Sequence, residues 1–341
     1  MSEPHTDAEE PWIAAVHALP LAETVARWGV TPDELFAGLA VDAAVASDPR
    51  RRLPISVFAA LVARAKALTG EPGLGFYVGL QMRVSSYGYL GFAAMASATL
   101  RDALELAVRF APTRSDALSL RLHEGDGHAA LVLEEHADLG AARDVLVISL
   151  ITGLHELGAA VTGKHIEDTA DIAFAAPDYA SRFAHLTRDR LRFGQPLHQL
   201  VFPSAALDLP LVQADPVAVR LAIEQCEREL DALGFERKIT ARVRAALPRA
   251  GDGFRSIEET AAALGLSTRT LKRRLADEGT SFTALVDEQR RDRALLLLRS
   301  PDTSIEAVAA GVGYSDVANF TRAFRRWTGA TPGSYRRGRG A

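Results

Sequence analysis

The chain has 341 residues, 39 Lys+Arg against 43 Asp+Glu, a formal net charge of −4 and a single cysteine, Cys226. Such a length predicts two domains with a core in each, and one cysteine excludes an intrachain disulfide and a cysteine-based zinc cluster. The acidic N-terminus lacks the layout of a secretory signal, and the longest uncharged stretch, residues 84–100, is too polar and too short for a membrane span, so the expected compartment is the cytoplasm.

Residues 11–28 and 55–68 read as helices, the second with Val57, Leu61 and Ala65 on one face. Thr99 as N-cap and Asp102 three residues on start a helix over 99–110, whose Leu100, Leu104 and Ala107 form a stripe. Residues 118–123 and 129–134 alternate around Glu124-Gly125-Asp126-Gly127, a hairpin signal. A long apolar helix over 141–161, a strand over 171–176, a helix over 178–185 and a strand at 200–202 follow. Strands flanked by long helices, without a regular β-α-β alternation, predict an α+β domain: an antiparallel sheet covered on one side by helices. Pro210, Pro216 and Gly234 then set off a helical connector over 207–233.

No catalytic constellation stands out in this half. His123, His128 and His136 fall in or beside the hairpin and lack a carboxylate at metal-ligand spacing. Gly73-Leu74-Gly75 is too short for a phosphate loop. Gly88 and Gly91 fit tight packing ahead of the Thr99 helix. Asp144, Glu156, Glu167 and Asp168 read as helix-surface charges, and Cys226 as a structural helix residue.

The C-terminal part repeats itself. Residues 256–267 read SIEETAAALGLS, and residues 304–315 read SIEAVAAGVGYS. A fixed internal period means one structural unit built twice. Ser256 with Glu259 makes a capping box. Ile257, Ala261 and Leu264 share a helix face, and Gly265 and Gly313 supply the left-handed residue that turns the chain. Ser267 and Ser315 are placed to cap a second helix. On that helix Leu271 and Leu275, or Phe320 and Phe324, point to the core, with cations between them. A helix, a glycine turn and a basic helix make a helix-turn-helix, whose second helix lies in a DNA major groove. A pair of ordinary helical hairpins with solvated basic faces is the bland alternative, and the double occurrence weighs against it. A sixteen-residue linker helix over 283–298, stopped by Pro301, would be about 24 Å long and should bury the run Leu295 to Leu298 between the two units.

These residues resemble the DNA-binding domain of AraC/XylS-type transcription regulators, over residues 235–336. The second unit carries Ala309, Gly313, Asp316, Phe320, Arg322, Phe324, Gly329, Thr331-Pro332, Tyr335 and Arg336 in the family order, with Tyr314 where members usually have Phe. Ala276 stands where many members have a basic residue. The resemblance implies that one monomer places both motifs in successive major grooves. Residues 87–110 and 190–216 are similar to the N-terminal domain of the subgroup containing ornithine-utilisation-type regulators, which implies sensing and dimerisation.

Charge is divided accordingly: residues 236–341 hold 20 Lys+Arg and 12 Asp+Glu, a net of +8, which leaves −12 for residues 1–235. The expected organisation is an extension at 1–19, an effector-sensing or dimerising domain at 20–205, a linker at 206–235, an all-α double helix-turn-helix domain at 236–337 and a tail at 338–341. The candidate DNA-contacting residues are Thr268, Arg269, Thr270, Lys272, Arg273 and Arg274 in the first unit, and Asp316, Val317, Asn319, Thr321, Arg322, Arg325 and Arg326 in the second. The expected partners are double-stranded DNA, RNA polymerase, a small-molecule effector and a second copy of the chain, with no membrane, cofactor, metal or enzymatic activity. Two alternatives stay open: a ligand-independent DNA-binding protein whose N-domain only dimerises, and an enzyme domain fused to a DNA reader. A dry pocket with a few convergent polar groups would favour sensing, a flush core dimerisation, and a perturbed acid–base pair in a cleft the enzyme.

Overall fold

A computed structural model describes residues 10–187, 190–233, 239–247 and 254–337. The first nine residues of the expected extension, the junction 234–238 with Gly234 and Phe235, and the tail lie outside the described residues. The chain divides into two compact units, residues 1–122 with 131–229, and 123–130 with 230–341.

The first unit opens on β1 (Trp12–Ala14), antiparallel to β2 (Arg52–Pro54). The helix expected over 11–28 therefore starts late, as Ala18–Val25. Its first residues are held extended from far along the chain: Trp12 N donates to Asp116 Oδ1 at 2.7 Å, and Ala14 N to Arg114 O at 2.7 Å. A local periodicity carries no trace of such partners.

The larger sheet comprises β3 (Leu118–Gly125), β4 (His128–Glu135), β5 (Thr169–Asp171), β6 (Leu191–Arg192) and β7 (His198–Pro203), in the order β3-β4-β7-β5-β6. The hairpin forms where expected, with Asp126 and Gly127 at φ 52° and 74°, the left-handed pair of a type I′ turn. β5 runs antiparallel to β7 but parallel to β6, so one pair departs from the antiparallel expectation. β5 also stops before residue 176: Ala173 N donates to the His198 ring of β7 at 3.1 Å rather than to a strand carbonyl. Residues 178–185 give only a 3-10 turn, Ala180–Phe183, with Phe183 stacked on Phe76 at 4.3 Å.

The first unit also contains helices Ile55–Thr69, Leu74–Leu80, Gly88–Ala96, Leu100–Phe110 and Arg143–Thr162, the last of which packs on β7. The Thr99–Asp102 capping box is present. Leu74–Leu80 presses against Arg143–Thr162 through glycine: a Cβ at Gly79 would stand 2.8 Å from Ser149 O. The run Gly140–Thr162 is long and apolar enough to cross a membrane, but Val147, Ile148 and Ile151 are buried inside the first unit. Packing from several sides explains its apolar character.

Two of the expected surface acids belong to internal networks. Asp168 binds the His155 ring at 2.7 Å and Arg190 Nη1 at 2.9 Å, and Asp144 pairs with Lys66 at 2.7 Å. Helix Pro216–Ala232 packs on this unit with Cys226 fully buried. Arg109 holds Glu227 at 2.8 Å, and Arg114 holds Glu229.

The described residues of the second unit include helices Ile239–Ala246, Ile257–Ala263, Thr268–Asp277, Phe282–Leu297, Ile305–Gly311, Val317–Thr328 and Pro332–Arg337. Ile239, Val243, Ala261, Leu271, Leu275 and Leu285 form one small core, and Val308, Ala309, Phe320 and Phe324 are buried in the second motif.

Candidate nucleic-acid interface and a cavity in the first unit

The sequence repeat is a repeat of hydrogen bonds. In the first motif Ser256 and Glu259 close a capping box, with Glu259 N donating to Ser256 Oγ at 3.2 Å and Ser256 N to Glu259 Oε2 at 2.8 Å. The helix ends with Gly265 N donating to Ala262 O and Leu266 N to Ala261 O. In the second motif Gly313 N donates to Ala310 O and Tyr314 N to Ala309 O, the same two bonds. Both are Schellman ends, which need a left-handed residue, and Gly265 and Gly313 have φ 67° and 83°.

The second helices start differently. Ser267 caps Thr268–Asp277, accepting from Thr270 N at 3.1 Å. In the other motif the cap is Asp316 rather than Ser315, with its carboxylate accepting from Ala318 N and Asn319 N. The turn is one residue longer there, and a carboxylate satisfies two helix-end amides at once.

Each second helix buries one stripe and exposes the opposite one. Leu271 and Leu275 are fully buried, so at 100° per residue Arg269 and Arg273 point straight outward. Lys272 and Arg274 flank them, both exposed; Thr270 is half-buried with its hydroxyl against Ser267, and Thr268 is half-buried. On Val317–Thr328 the buried stripe is Phe320, Ala323 and Phe324, which puts Arg322 and Arg325 outermost. Asn319 and Arg326 are exposed on one flank, and Thr321 and Val317 half-buried on the other. Asn319 Oδ1 accepts from Arg322 Nη2 at 2.5 Å, which holds the two side chains together, and Arg326 is tied back to Asp287 at 2.9 Å. The expected residues thus gather on two helix faces, with Arg269, Arg273, Arg322 and Arg325 as their centres.

The linker helix Phe282–Leu297 keeps the expected length, and Leu295, Leu296 and Leu298 are buried. Arg290 lies over the Tyr314 ring at 5.0 Å, and Arg336 Nη2 donates to Thr303 O at 2.6 Å. Both arginines therefore serve packing, and Tyr314 in place of Phe is accommodated between Arg290, Phe320 and Trp327.

The first unit contains a cavity of about 220 Å³. Its walls are largely aliphatic, including Leu21, Leu104, Leu131, Leu133, Leu150 and Leu154. Polar groups meet at one place. The His17 and Tyr87 rings lie edge to face at 5.6 Å, and the Arg114 guanidinium is next to Gly88. Burial, and secondarily the Arg114 charge, lowers the His17 pKa to about 4, so the ring is neutral at pH 7. Burial also raises the Tyr87 phenol well above its ordinary value. Sequence reading missed all three residues. They come from segments about 70 and 27 positions apart, and only the stripe Leu100–Leu104–Ala107 pointed toward this space.

Comparison with known proteins matches these two parts separately. Residues 29–211 match the family described as the arabinose-binding domain of AraC transcription regulator, N-terminal, and residues 260–338 match a helix-turn-helix domain. The ornithine utilization regulator of Pseudomonas aeruginosa is 34% identical over 326 residues, covering 95% of this chain and 96% of that protein. The chain belongs to the AraC family of transcription regulators. An uncharacterized HTH-type transcriptional regulator of Mycobacterium tuberculosis is 31% identical over 328 residues, covering 93% of this chain and 94% of that protein. Among solved structures, the transcriptional regulator CdpR from Pseudomonas aeruginosa aligns over 98% of this chain and 100% of its own, at 22% identity and a TM-score of 0.47. As an AraC-family member the protein is a DNA-binding transcription regulator, with its DNA-reading part in the C-terminal helices and an α+β domain before them.

Proposed function

We propose that this regulator reads double-stranded DNA with Thr268–Asp277 and Val317–Thr328 in successive major grooves. Arg269, Arg273, Arg322 and Arg325 supply the outermost contacts, Thr268, Thr270, Lys272, Arg274, Val317, Asn319 and Thr321 flank them, and Asp316 and Arg326 set the helix start and its hold on the linker. The observation that carries this reading is that the two motifs share their helix-end hydrogen bonds and both turn exposed cations outward. A linker of about 24 Å, with the width of the flanking helices, suits grooves about 34 Å apart. Phosphate contacts give affinity and base-edge contacts give register. Footprinting the full chain on a selected site tests this: two protected major grooves about one turn apart on one DNA face are expected, and protection of a single groove refutes it.

The domain boundaries near residues 205 and 236 belong to the same reading, as does sensing by the first unit. A cavity with apolar walls and convergent polar groups favours an effector-binding domain over a purely dimerising one. Homodimerisation is supported by Val212, Val217 and Leu221, large apolar residues exposed at 68, 54 and 55% on and before helix Pro216–Ala232. The protein acts in the cytoplasm, as a regulator and not an enzyme, with RNA polymerase as its partner at the promoter.

A further inference from the structure

We infer that the cavity of the first unit takes an apolar monocarboxylate, with its chain among the leucines and its carboxylate against Arg114, Tyr87 and His17. This rests on the reading of that unit as the sensor and names what it senses.

Size comes first. A dry cavity of about 150 Å³ admits benzene, so 220 Å³ suits a ligand of roughly nine or ten non-hydrogen atoms. The walls decide what most of that ligand is. Leu104, Leu131, Leu133 and Leu150 offer no hydrogen bond, so a sugar or a polar amino acid would lose water without replacement there.

The polar end decides the head group. Arg114 spends Nε on Thr113 and Nη2 on Glu229, and among the described residues its Nη1 makes no hydrogen bond. Among the described residues the Tyr87 hydroxyl has only the Met82 sulfur, at 3.1 Å, a weak acceptor. The His17 ring makes no hydrogen bond among the described residues. Among the other polar lining atoms, Ser115 Oγ donates to Trp12 O at 2.8 Å, Ser149 Oγ to Leu146 O at 3.1 Å, and Ser119 Oγ meets the His136 ring at 2.6 Å. Three donors with a weak partner or none among the described residues therefore converge, one of them cationic. A carboxylate, which has about four acceptor positions and no donor, matches them.

The same inventory rejects an ammonium. The only acid lining the cavity among the described residues is Asp168, and both of its oxygens are taken, by His155 and Arg190. A diamino acid would place its cationic groups against leucine side chains. The carboxylate also meets a competitor, because Glu229 holds the same guanidinium.

Thermal stability of the full-length chain, titrated with octanoate, 1-octanol, octylamine, L-ornithine and L-arabinose, tests the assignment, since a ligand of the native state raises Tm by mass action. Octanoate is expected to stabilise, with each methylene removed from its chain weakening affinity about fourfold. Octanol should bind at least about tenfold more weakly, because a neutral head forgoes the charge-assisted bond. Glu229→Gln should tighten octanoate and leave octanol unchanged. Ala107→Leu fills the cavity, so it should abolish octanoate binding without lowering the Tm of the free protein. Stabilisation by ornithine or arabinose that Ala107→Leu abolishes overturns the ligand class and leaves the sensing reading in place. Octanoate stabilisation that survives Ala107→Leu overturns the site. If no probe stabilises the wild type, the class is refuted; the sensing reading falls with it only if Ala107→Leu also leaves regulation of a promoter reporter unaltered.

Discussion

Arg114 and Glu229 are ion-paired within the first unit although 115 positions separate them. The guanidinium is 7% exposed and the carboxylate 31%. Arg114 is thus shared between the cavity and helix Pro216–Ala232, the last helix before the junction with the second unit. The neighbouring pair Arg109–Glu227 joins the same helix at the surface, with both side chains more than 40% exposed.

These two pairs should differ in weight. Glu229→Ala leaves a buried cation without its partner and is expected to destabilise the first unit by about 1–3 kcal/mol. Glu227→Ala removes a solvated pair and should cost less than about 1 kcal/mol. Thermal melts of the two variants rank them. Equal effects would show that Arg114 finds a second partner.

The lowered His17 pKa gives a pH dependence of known sign. The unfolded ring protonates near 6.5 and the folded one near 4, with Arg114 and Tyr87 the ionisable groups beside it. Between those values the unfolded state binds more protons, so the contribution is complete above about 6.5 and is lost as pH falls toward 4. The slope from this ring is at most about 1.4 kcal/mol per pH unit. His17→Leu should flatten the melt-versus-pH profile below 6.5 and leave it parallel to wild type above. Parallel profiles at every pH would remove His17 as the cause.

The DNA-reading part was legible in the sequence because its signals are local. A cap, a small residue, a glycine and a second cap lie within twelve positions, and each has a short-range mechanism. Even there one position moved: Asp316 outcompetes Ser315 as the cap because a carboxylate accepts two amides. The first unit was legible for its hairpin and for helices with caps. It was not legible where partners are remote. β1 exists because Asp116 and Arg114 bind its backbone, and Leu74–Leu80, interrupted by Gly75 and Gly79, is a helix because a second helix lies against those glycines. The cavity is the extreme case, since its polar end joins His17, Tyr87 and Arg114 from three separate segments.

Cys226 offers a check on packing. Burial, then the Glu229 charge, raises its thiol pKa to about 11, and the side chain is fully inaccessible. Alkylation by iodoacetamide at pH 8 should therefore be far slower than for a free thiol, and complete only on unfolding. Rapid labelling of the native protein would mean that helix Pro216–Ala232 lifts from the first unit.

The outward arginines should separate by role. Arg273→Ala is expected to cost about 1–3 kcal/mol on the selected site and less on scrambled DNA, as a lost base contact does. Arg336→Ala removes the bond to Thr303 O and should lower stability of the second unit more than selectivity. With both motifs docked and roughly six phosphates contacted, log affinity should fall against log salt with a slope near −5. A slope shallower than about −2 would indicate one motif on DNA at a time, and equal loss on both DNAs would take Arg273 out of base readout.

Val217 and Leu221 are four residues apart on helix Pro216–Ala232 and expose more than half of their surface. On a helix that spacing makes one apolar stripe, and a second copy of the chain would cover it. Leu221→Glu places a charge in that stripe without touching the buried Ala222, Cys226 and Leu230. Sedimentation of the full chain should then shift from dimer to monomer at micromolar concentration. On DNA with two half-sites the affinity should drop by about 10²-fold, because the second half-site is no longer reached within one complex. On a single half-site the variant should match wild type. A variant that stays dimeric moves the interface elsewhere. A wild-type chain that sediments as a monomer removes dimerisation altogether, and the first unit would then act on DNA binding only within its own chain.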